Sequence, residues 1–514
     1  MDKALLQELD EKRKKGRAPG HVNTKKNAQS LHPDKLSARE RINLLLDPGS
    51  FEELGVLARS QNKDLYDRSP ADGLIAGCGK IDGRVVYVSS DDSTVLAGTR
   101  GRVGELKTQR LREMAEKHNK PYIALMEAGA GRFQEINGAT AAGVGNRFRE
   151  HFRLSGRVPM VAAFMGACFG GPSFTGQQSD FITIVDGTGF MGMSGPPVVK
   201  VGIGIDVTRE EIGSGQLSAA VTGQADHLGS NEKESLLAIR TFLSYFPSSC
   251  FDLPPVHEPR PAPCDTPEGK EKINALVSEN HRRGYNMEQL VRMLVDGGEL
   301  FVYRPLYGRN LLTTLCRING RSVGIVANNP MHLAGALNHE AAIKARKFID
   351  LCDAYHIPMV FLCDCPGFLV GPDMEKNRMV SLASRMLNSV IATTVPKVTV
   401  VIRKAIGLAY IAMGGKTMNP DVIVGWPTSF FDAMGPAAGV ELVHGRKIKE
   451  AADPEALRAE LMQKVLEEGN GYLAAERALL DDIISPCETR NLIISVLERH
   501  PQPRQPGFKH RIDP

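Results

Sequence analysis

Hydrophobic and polar positions along this chain follow one programme, and they run through it twice. Around residue 85, "KIDGRVVYVSS" reads as two extended segments joined by a polar turn. The next segment, "GELKTQRLREMAEKHNK" from Gly104, carries apolar residues at helical spacing. A continuous apolar run, "PYIALM", then ends in "EAGAGR" (Glu127 to Arg132). After another helix-length stretch, "VPMVAAF" ends in "MGACFGGPS", whose loop spans Gly166 to Ser173. A run that is apolar at every position predicts a strand covered on both faces, as in a parallel sheet.

The second pass starts 237 residues later. "RINGRSVGIVA" at Arg317 matches "KIDGRVVYVSS" at Lys80. The same shift carries "LAG" at Leu96 onto "LAG" at Leu333, and "KPYIALMEAG" at Lys120 onto "IPMVFLCDCP" at Ile357. It also carries "VPMVAAFMG" at Val158 onto "VPKVTVVIR" at Val395. Further on, "GPP" at Gly195 meets "GPA" at Gly435 at a shift of 240, so a short insertion intervenes. Between the copies, a segment beginning at Phe246 holds seven prolines and reads as an extended connection. The expected organisation is an α/β chain of two tandem, similarly folded domains: residues 1–250 with a basic helical arm at the start, a Pro-rich linker over 251–267, and residues 268–514.

Ligand sites in α/β folds lie beyond the carboxyl ends of the strands. Each copy places two special loops there: "EAGAGR" and "GACFGGPS" in the first, "DCPGFLVG" (Asp364 to Gly371) and "KAIGLAYIAMGG" (Lys404 to Gly415) in the second. Glycine at a strand end permits close approach to the backbone. Loops that turn bare N–H groups toward one point can hold a developing oxyanion, each donor contributing about 3–4 kcal/mol. The alternative is that the glycines only permit tight strand–helix packing. HExxH, GxxxxGK[ST] and GxSxG are all absent from the sequence. "GTRGRVGELK" lacks the spacing of a phosphate loop, yet Arg100, Arg102 and Lys107 are candidates to meet a nucleotide phosphate at that helix start.

Composition narrows the classes. Hydrophobic content of 42% and charged content of 24% are those of a globular chain, and a formal charge of +4 over 514 residues gives no case for nucleic acid. No apolar run reaches the roughly 20 residues that span a bilayer. Without a secretory or transit-like start, the expected location is cytoplasmic. Nine scattered cysteines, with "CDC" at Cys363 and Cys365 the only close pair, suit buried thiols better than a metal site, so no metal is expected.

Five motifs carry a resemblance: "KLSARERINLLLDPGSFEE", "ANNPMHLAGALNHEAAIKARKFIDLCDA", "DCPGFLVG", "VPKVTVVIRKA" and "WPTSFFDAMGPAAGVEL". Together they resemble the β subunits of the biotin-dependent acyl-CoA carboxyltransferases, from about Lys35 to about Arg490. The resemblance implies two tandem crotonase-like domains, the first binding acyl-CoA and the second biotin. It implies a dimer at minimum and usually a hexamer. It also implies transfer of CO2 from carboxybiotin to the α-carbon of a short acyl-CoA through a thioester enolate, with the cofactor supplying the base.

By position, Gly170 and Gly171 match the glycine pair for the thioester oxygen, with Ala130 and Gly131 in the neighbouring loop. Leu408 and Ala409 stand where the family usually has Gly-Ala for the biotin ureido oxygen, next to Gly407. Gly367 and Phe368 supply the facing loop, and Ile411 falls at a position that helps select acyl length. The departures are Leu408 for glycine, "EAGAGR" for DSGGAR, and Pro172 after the glycine pair. The chain carries no biotinylation motif and no ATP loop, so biotin would arrive on a separate carrier loaded by a biotin carboxylase. Two further readings stand beside the carboxyltransferase: a decarboxylase or transcarboxylase acting on malonyl- or methylmalonyl-CoA, and a catalytically weak CoA-binding homologue.

Overall fold

The apolar runs become the central strands of two mixed sheets in the computed structural model, which describes residues 2–18, 35–500 and 505–514. The chain forms two compact units, residues 1–253 with 505–514, and residues 254–504. The segment 505–514 packs in unit 1, where Ser155 Oγ accepts from the Ile512 amide at 2.9 Å.

Unit 1 opens on α1 (Lys3–Arg17) and α2 (Ala38–Leu45), the latter started by a capping box between Ser37 and Glu40. Its strands are β1 (Glu52–Glu53), β2 (Leu74–Ile81), β3 (Arg84–Asp91), β4 (Tyr122–Met126), β5 (Met160–Phe164), β6 (Ala167–Phe169), β7 (Phe181–Val185), β8 (Phe190–Gly192) and β9 (His227–Gly229). The main sheet runs β1-β2-β3-β4-β5-β7-β9, antiparallel at its first two pairings and parallel after them. Helix α3 (Arg102–His118) follows β3, and the short helix α4 (Gly171–Gln177) follows β6. Every residue of β4, β5 and β7 is buried, as their unbroken apolar runs predict.

Unit 2 repeats the plan with β10 (Leu300–Tyr303), β11 (Leu311–Ile318), β12 (Arg321–Asn328), helix α5 (His339–Ala354), β13 (Met359–Cys365), β14 (Lys397–Ile406), helix α6 (Gly407–Ala412), β15 (Val422–Gly425), β16 (Phe430–Asp432) and β17 (Asp482–Ile483). Its sheet runs β10-β11-β12-β13-β14-β15-β17, with β16 beside β14. The sequence offset reappears as strand register. Tyr87 faces Tyr122 and Gly324 faces Met359; Tyr122 faces Met160 and Met359 faces Lys397, each second pair lying 237 positions on. Across the later pairing, Ala167 faces Phe190 and Lys404 faces Phe430, the second partner now 240 positions on. The insertion therefore falls between β6 and β8.

Candidate functional site

The loop after β4 is built to leave its amides unused. The Glu127 amide donates to Asp91 Oδ2 at 3.1 Å, the Ala128 amide to Cys168 Sγ at 3.4 Å, and the Arg132 amide to the Arg100 carbonyl at 2.8 Å. Between these anchors, the N–H groups of Gly129, Ala130 and Gly131 have no protein acceptor among the described residues. Arg132 pins the loop from below. Its buried guanidinium donates to Asp72 Oδ1 at 2.6 Å, Glu135 Oε1 at 2.8 Å and the Thr99 carbonyl at 3.0 Å. At Gly129 a Cβ would lie 2.9 Å from the Ala97 carbonyl oxygen, so this position requires glycine.

This loop walls a cavity of about 830 Å³ with Lys35, Ala97, Glu127 and, from the second loop, Gly166 and Ala167. Gly129 and Ala130 are among its lining residues. Gly170 and Gly171 stand just past β6, where Gly170 takes φ 71 to turn the chain into α4. The Gly170 amide is not a free donor: it bonds to the Gly192 carbonyl at 3.0 Å, joining the β6–β8 pair. The Gly171 amide, the first in α4, has no protein acceptor among the described residues. Among the described residues of these two loops, the free donors include Gly171 and the stretch 129–131.

A buried ionic cluster that sequence patterning missed holds the floor. Arg41 of α2 donates to Glu127 Oε2 at 2.6 Å and to both oxygens of Glu232 at 2.8 and 2.7 Å. Lys35 Nζ lies 2.9 Å from Glu127 Oε1 and 3.2 Å from the Met165 carbonyl, linking the ends of β4 and β5. Burial alone would raise the Glu127 pKa, but Arg41 and Lys35 hold it below its ordinary value.

The three candidates for phosphate contact part company. Arg100 is mostly buried, its guanidinium 2.7 Å from Asp91 Oδ1, so it braces the loop from behind. Lys107 turns inward, donating to the carbonyls of Ala71 and Leu74 at 2.9 and 2.5 Å, and does not reach the cavity. A half-buried ammonium already shared by two carbonyls corrects the expected phosphate role. Arg102 alone is exposed, at the first turn of α3.

Unit 2 repeats this arrangement with different side chains. Arg100 bridges Gly131 in unit 1, and Leu337 bridges Phe368 in unit 2, both pairs in parallel register and 237 apart. Gly407 takes φ 59 where Gly170 takes 71, and Leu408 occupies the place of Gly171 with 66% of its surface exposed. Ala409 is buried and Ile411 half-buried. The amides of Gly367, Phe368, Leu408 and Ala409 have no protein acceptor among the described residues. Gly407, Leu408 and Ile411 line a cavity of about 640 Å³ with Tyr410 and Phe431; Gly367 and Phe368 do not.

The telling difference lies at one aligned position. Asp364 takes the place of Glu127, and its arginine comes from β14 itself: Arg403 Nε and Nη2 stand 3.0 and 2.8 Å from Asp364 Oδ2. The unit 1 equivalent of Arg403 is Gly166, while Arg41 arrives from α2 instead. A Cβ at Gly166 would lie 2.4 Å from Glu127 Cγ. Supplying the guanidinium from elsewhere frees this position to be glycine and leaves open the space that Arg403 fills in unit 2. A further shared feature is backbone strain. Leu96 and Ala97, and their counterparts Leu333 and Ala334, all take positive φ between 48 and 54. The repeated "LAG" was the visible signal for it.

Two strand-end loops with free amides, in each of two similar units, are an arrangement able to hold a developing oxyanion by backbone donation. The chain matches the carboxyl transferase domain over residues 30–511. It belongs to the carboxyl transferase family and is an acyl-CoA carboxyltransferase. It is 36% identical to the propionyl-CoA carboxylase beta chain of Saccharopolyspora erythraea, over 93% of this chain and 90% of the relative. It is 34% identical to methylmalonyl-CoA decarboxylase subunit alpha of Propionigenium modestum, over 98% of both. The crystal structure of transcarboxylase 12S, a hexamer with methylmalonyl-coenzyme A and methylmalonic acid bound, superposes with a TM-score of 0.88 at 33% identity, covering 98% of each chain. No helix among the described residues is long and apolar enough to cross a membrane.

Proposed function

We propose that this chain, built of two crotonase-like domains, is the carboxyltransferase component of a biotin-dependent acyl-CoA carboxylase, with biotin carried on a separate protein and a short acyl-CoA as acceptor. Unit 1 binds the acyl-CoA and unit 2 the biotin. The observation that carries the assignment of unit 1 is the 830 Å³ cavity with the unused amides of Gly129 and Ala130 on its wall.

When bound, carboxylated biotin would supply the CO2, and the biotin left behind the base that takes the acyl α-proton. The chain's part is to hold charge and exclude water. Gly171 with Ala130 and Gly131 donates to the thioester oxygen as it becomes an enolate oxygen. Each such donor lowers the barrier by about 3–4 kcal/mol when it meets the developing charge at hydrogen-bond distance. Leu408, Ala409, Gly367 and Phe368 offer N–H groups of the right kind for a ureido oxygen, and Gly407 turns the chain to present them. Ile411 bounds the space left for the acyl tail. Arg102 is the retained candidate for a phosphate contact. The hexameric assembly of transcarboxylase 12S supports a hexamer here, a trimer of dimers, with a biotin carboxylase and a biotin carrier as partners.

A second reading is the reverse reaction, decarboxylation of malonyl- or methylmalonyl-CoA, favoured by the end-to-end match to the Propionigenium modestum decarboxylase subunit. One experiment separates the two from inactivity. The purified chain is incubated with malonyl-CoA or methylmalonyl-CoA, with and without biocytin, and loss of the carboxylated thioester is followed. Biocytin-dependent loss supports the transfer chemistry; loss without biocytin supports a stand-alone decarboxylase; no loss with either thioester counts against both.

A further inference from the structure

Gly171, whose amide is a free donor, has a cation set against it. A Cβ at this glycine would lie 3.3 Å from Arg147 Nη1, 3.6 Å from its Cζ and 4.0 Å from its Nη2, and these would be its three nearest neighbours. The space of a side chain at 171 is thus taken by a guanidinium from elsewhere in unit 1. Arg147 comes from the helix Asn146–Leu154, between β4 and β5 in sequence. Two ion pairs of opposite sense tie that helix to α3: Arg147 Nη2 lies 2.8 Å from Glu105 Oε1, and Arg112 Nη2 lies 2.6 Å from Glu150 Oε2. The Phe148 ring meets that of Phe174 in α4 edge to face, with centroids 6.1 Å apart. The guanidinium is therefore fixed between α3 and the start of α4.

These contacts do not use up its charge. Among the described residues, Glu105 is the one carboxylate in ion-pair reach, and the contact falls outside hydrogen-bond geometry, since Glu105 Oε1 is buried without a donor. The Arg147 side chain is only 13% exposed, and its guanidinium gives no hydrogen bond to protein among the described residues. Burial lowers its pKa from the ordinary value; Glu105 opposes that, and Arg100 and Arg112 add to it. Arginine nevertheless stays charged throughout the working range of pH. A cation held where burial and two like charges oppose it belongs to the kind of group that clusters at functional sites.

We propose that Arg147 is a positioning residue of the transfer reaction: it seats the Gly171 peptide and fixes a positive charge beside the amide that meets the enolate oxygen. The thioester oxygen is neutral in the bound substrate and negative in the enolate. A fixed charge beside its donor therefore stabilises the enolate more than the substrate, which is the condition for raising a rate. The mostly buried setting leaves that charge weakly screened. The proposal rests on the reading of unit 1 as the unit that forms the enolate. It places the effect of Arg147 on kcat and leaves affinity for the acyl-CoA to other residues.

The test reads charge apart from packing. Biocytin-dependent loss of methylmalonyl-CoA is followed for the wild type, R147M, R147Q and R147A, with a melting curve for each. The neutral variants are expected to lose about 10-fold or more in kcat, with KM for the thioester near the wild-type value. Millimolar ethylguanidinium is expected to restore most of the kcat lost in R147A. Ethylurea, of the same shape without the charge, is expected to restore none. An unchanged kcat, a loss that falls on KM instead, absence of rescue by ethylguanidinium, or equal rescue by ethylurea overturns the proposal. R147Q keeps the polar bulk of the side chain and decides the matter if R147M or R147A fails to fold. If the wild type turns over no thioester, the functional reading fails on its own account, and Arg147 is then decided by binding. Two CoA analogues are titrated calorimetrically, one bearing a nitronate anion in place of the thioester enolate, the other its neutral ketone counterpart. A preference for the nitronate that R147Q loses upholds the proposal; a preference equal in both proteins, or absent from the wild type, ends it.

Discussion

Lys107 and Lys344 occupy the same point of the duplicated fold and do the same thing there. Lys107 Nζ bonds the carbonyls of Ala71 and Leu74 at 2.9 and 2.5 Å. Lys344 Nζ bonds those of Tyr307, Gly308 and Leu311 at 3.0, 3.5 and 2.8 Å. Gly308 and Leu311 lie 237 positions beyond Ala71 and Leu74. Each ammonium satisfies the carbonyls that lead into the first long strand of its unit.

The shared role predicts a structural phenotype. K344M strands buried carbonyl groups, each worth about 1–3 kcal/mol when left unpaired, and is expected to lower the melting temperature by several degrees. K107M is expected to do the same to a smaller extent, with its KM for acyl-CoA held near the wild-type value. Thermal melts and initial-rate kinetics on the two variants check this. A rise in KM of tenfold in K107M, without loss of stability, would return Lys107 to the substrate.

Gly166 is expected to tolerate no side chain in an active enzyme. The nearest heavy atom to an added Cβ is Glu127 Cγ, at 2.4 Å, so G166A must shift the Glu127 side chain and with it the Lys35 link. We expect kcat/KM for the acyl-CoA to fall at least 100-fold. G166R, which imitates Arg403, should abolish acyl-CoA binding by filling the cavity. Equilibrium binding of the acyl-CoA to both variants is the measurement, and near-normal affinity in G166R would disprove the account of the cavity.

Leu408 gives a prediction in the opposite direction. Its side chain is 66% exposed and lines the mouth of the unit 2 cavity, so L408G removes little packing. It restores the residue that the family usually has there and opens the approach to the Leu408 amide position. Biocytin-dependent loss of malonyl-CoA should rise severalfold, with a lower KM for biocytin. Unchanged kinetics would mean that Leu408 does not obstruct that approach.

Acid should act through Glu127. Its pKa in the folded chain lies below the ordinary 4.5, because Arg41 and Lys35 outweigh the effect of burial. A depressed carboxylate contributes stability that is complete above its unfolded pKa and is lost as pH falls through the folded one. E127Q should therefore be less stable than wild type at pH 7, with the difference shrinking as pH falls below the ordinary 4.5 and through the depressed folded pKa. Denaturant unfolding of both proteins across that range tests it. A constant difference would place the contribution of Glu127 in packing and not in charge.

How far the sequence reads into this fold depends on whether partners share a local pattern. The duplication was legible to the residue, since the same 237 offset sets the register of β3–β4 and β12–β13. The strand-end loops were legible from glycine and unbroken apolar runs. The Glu127 cluster was not, because its members come from three separated segments, Lys35 with Arg41, Glu127, and Glu232, that no periodicity connects. The loss of the Gly170 amide to Gly192 was equally hidden, as it depends on the small β6–β8 pairing. Lys107 was misread although its signal was present. Lys344 sits at the repeat offset within a plainly amphipathic helix, and a residue kept by both copies of a fold whose sites differ is a candidate for scaffold.

The return of residues 505–514 to unit 1 sets an order of events in synthesis. Gly156 takes φ 68 in a position where a Cβ would lie 2.0 Å from the His510 carbonyl oxygen, and Ser155 holds the Ile512 backbone from both sides, accepting at 2.9 Å and donating at 3.1 Å. These contacts close over the end of the helix that leads to β5, one of the two strands carrying the cleft. All of unit 2 leaves the ribosome before they can form. Unit 2 can therefore be complete while unit 1, although translated first, still waits for the ten residues 505–514 that follow unit 2 in the sequence.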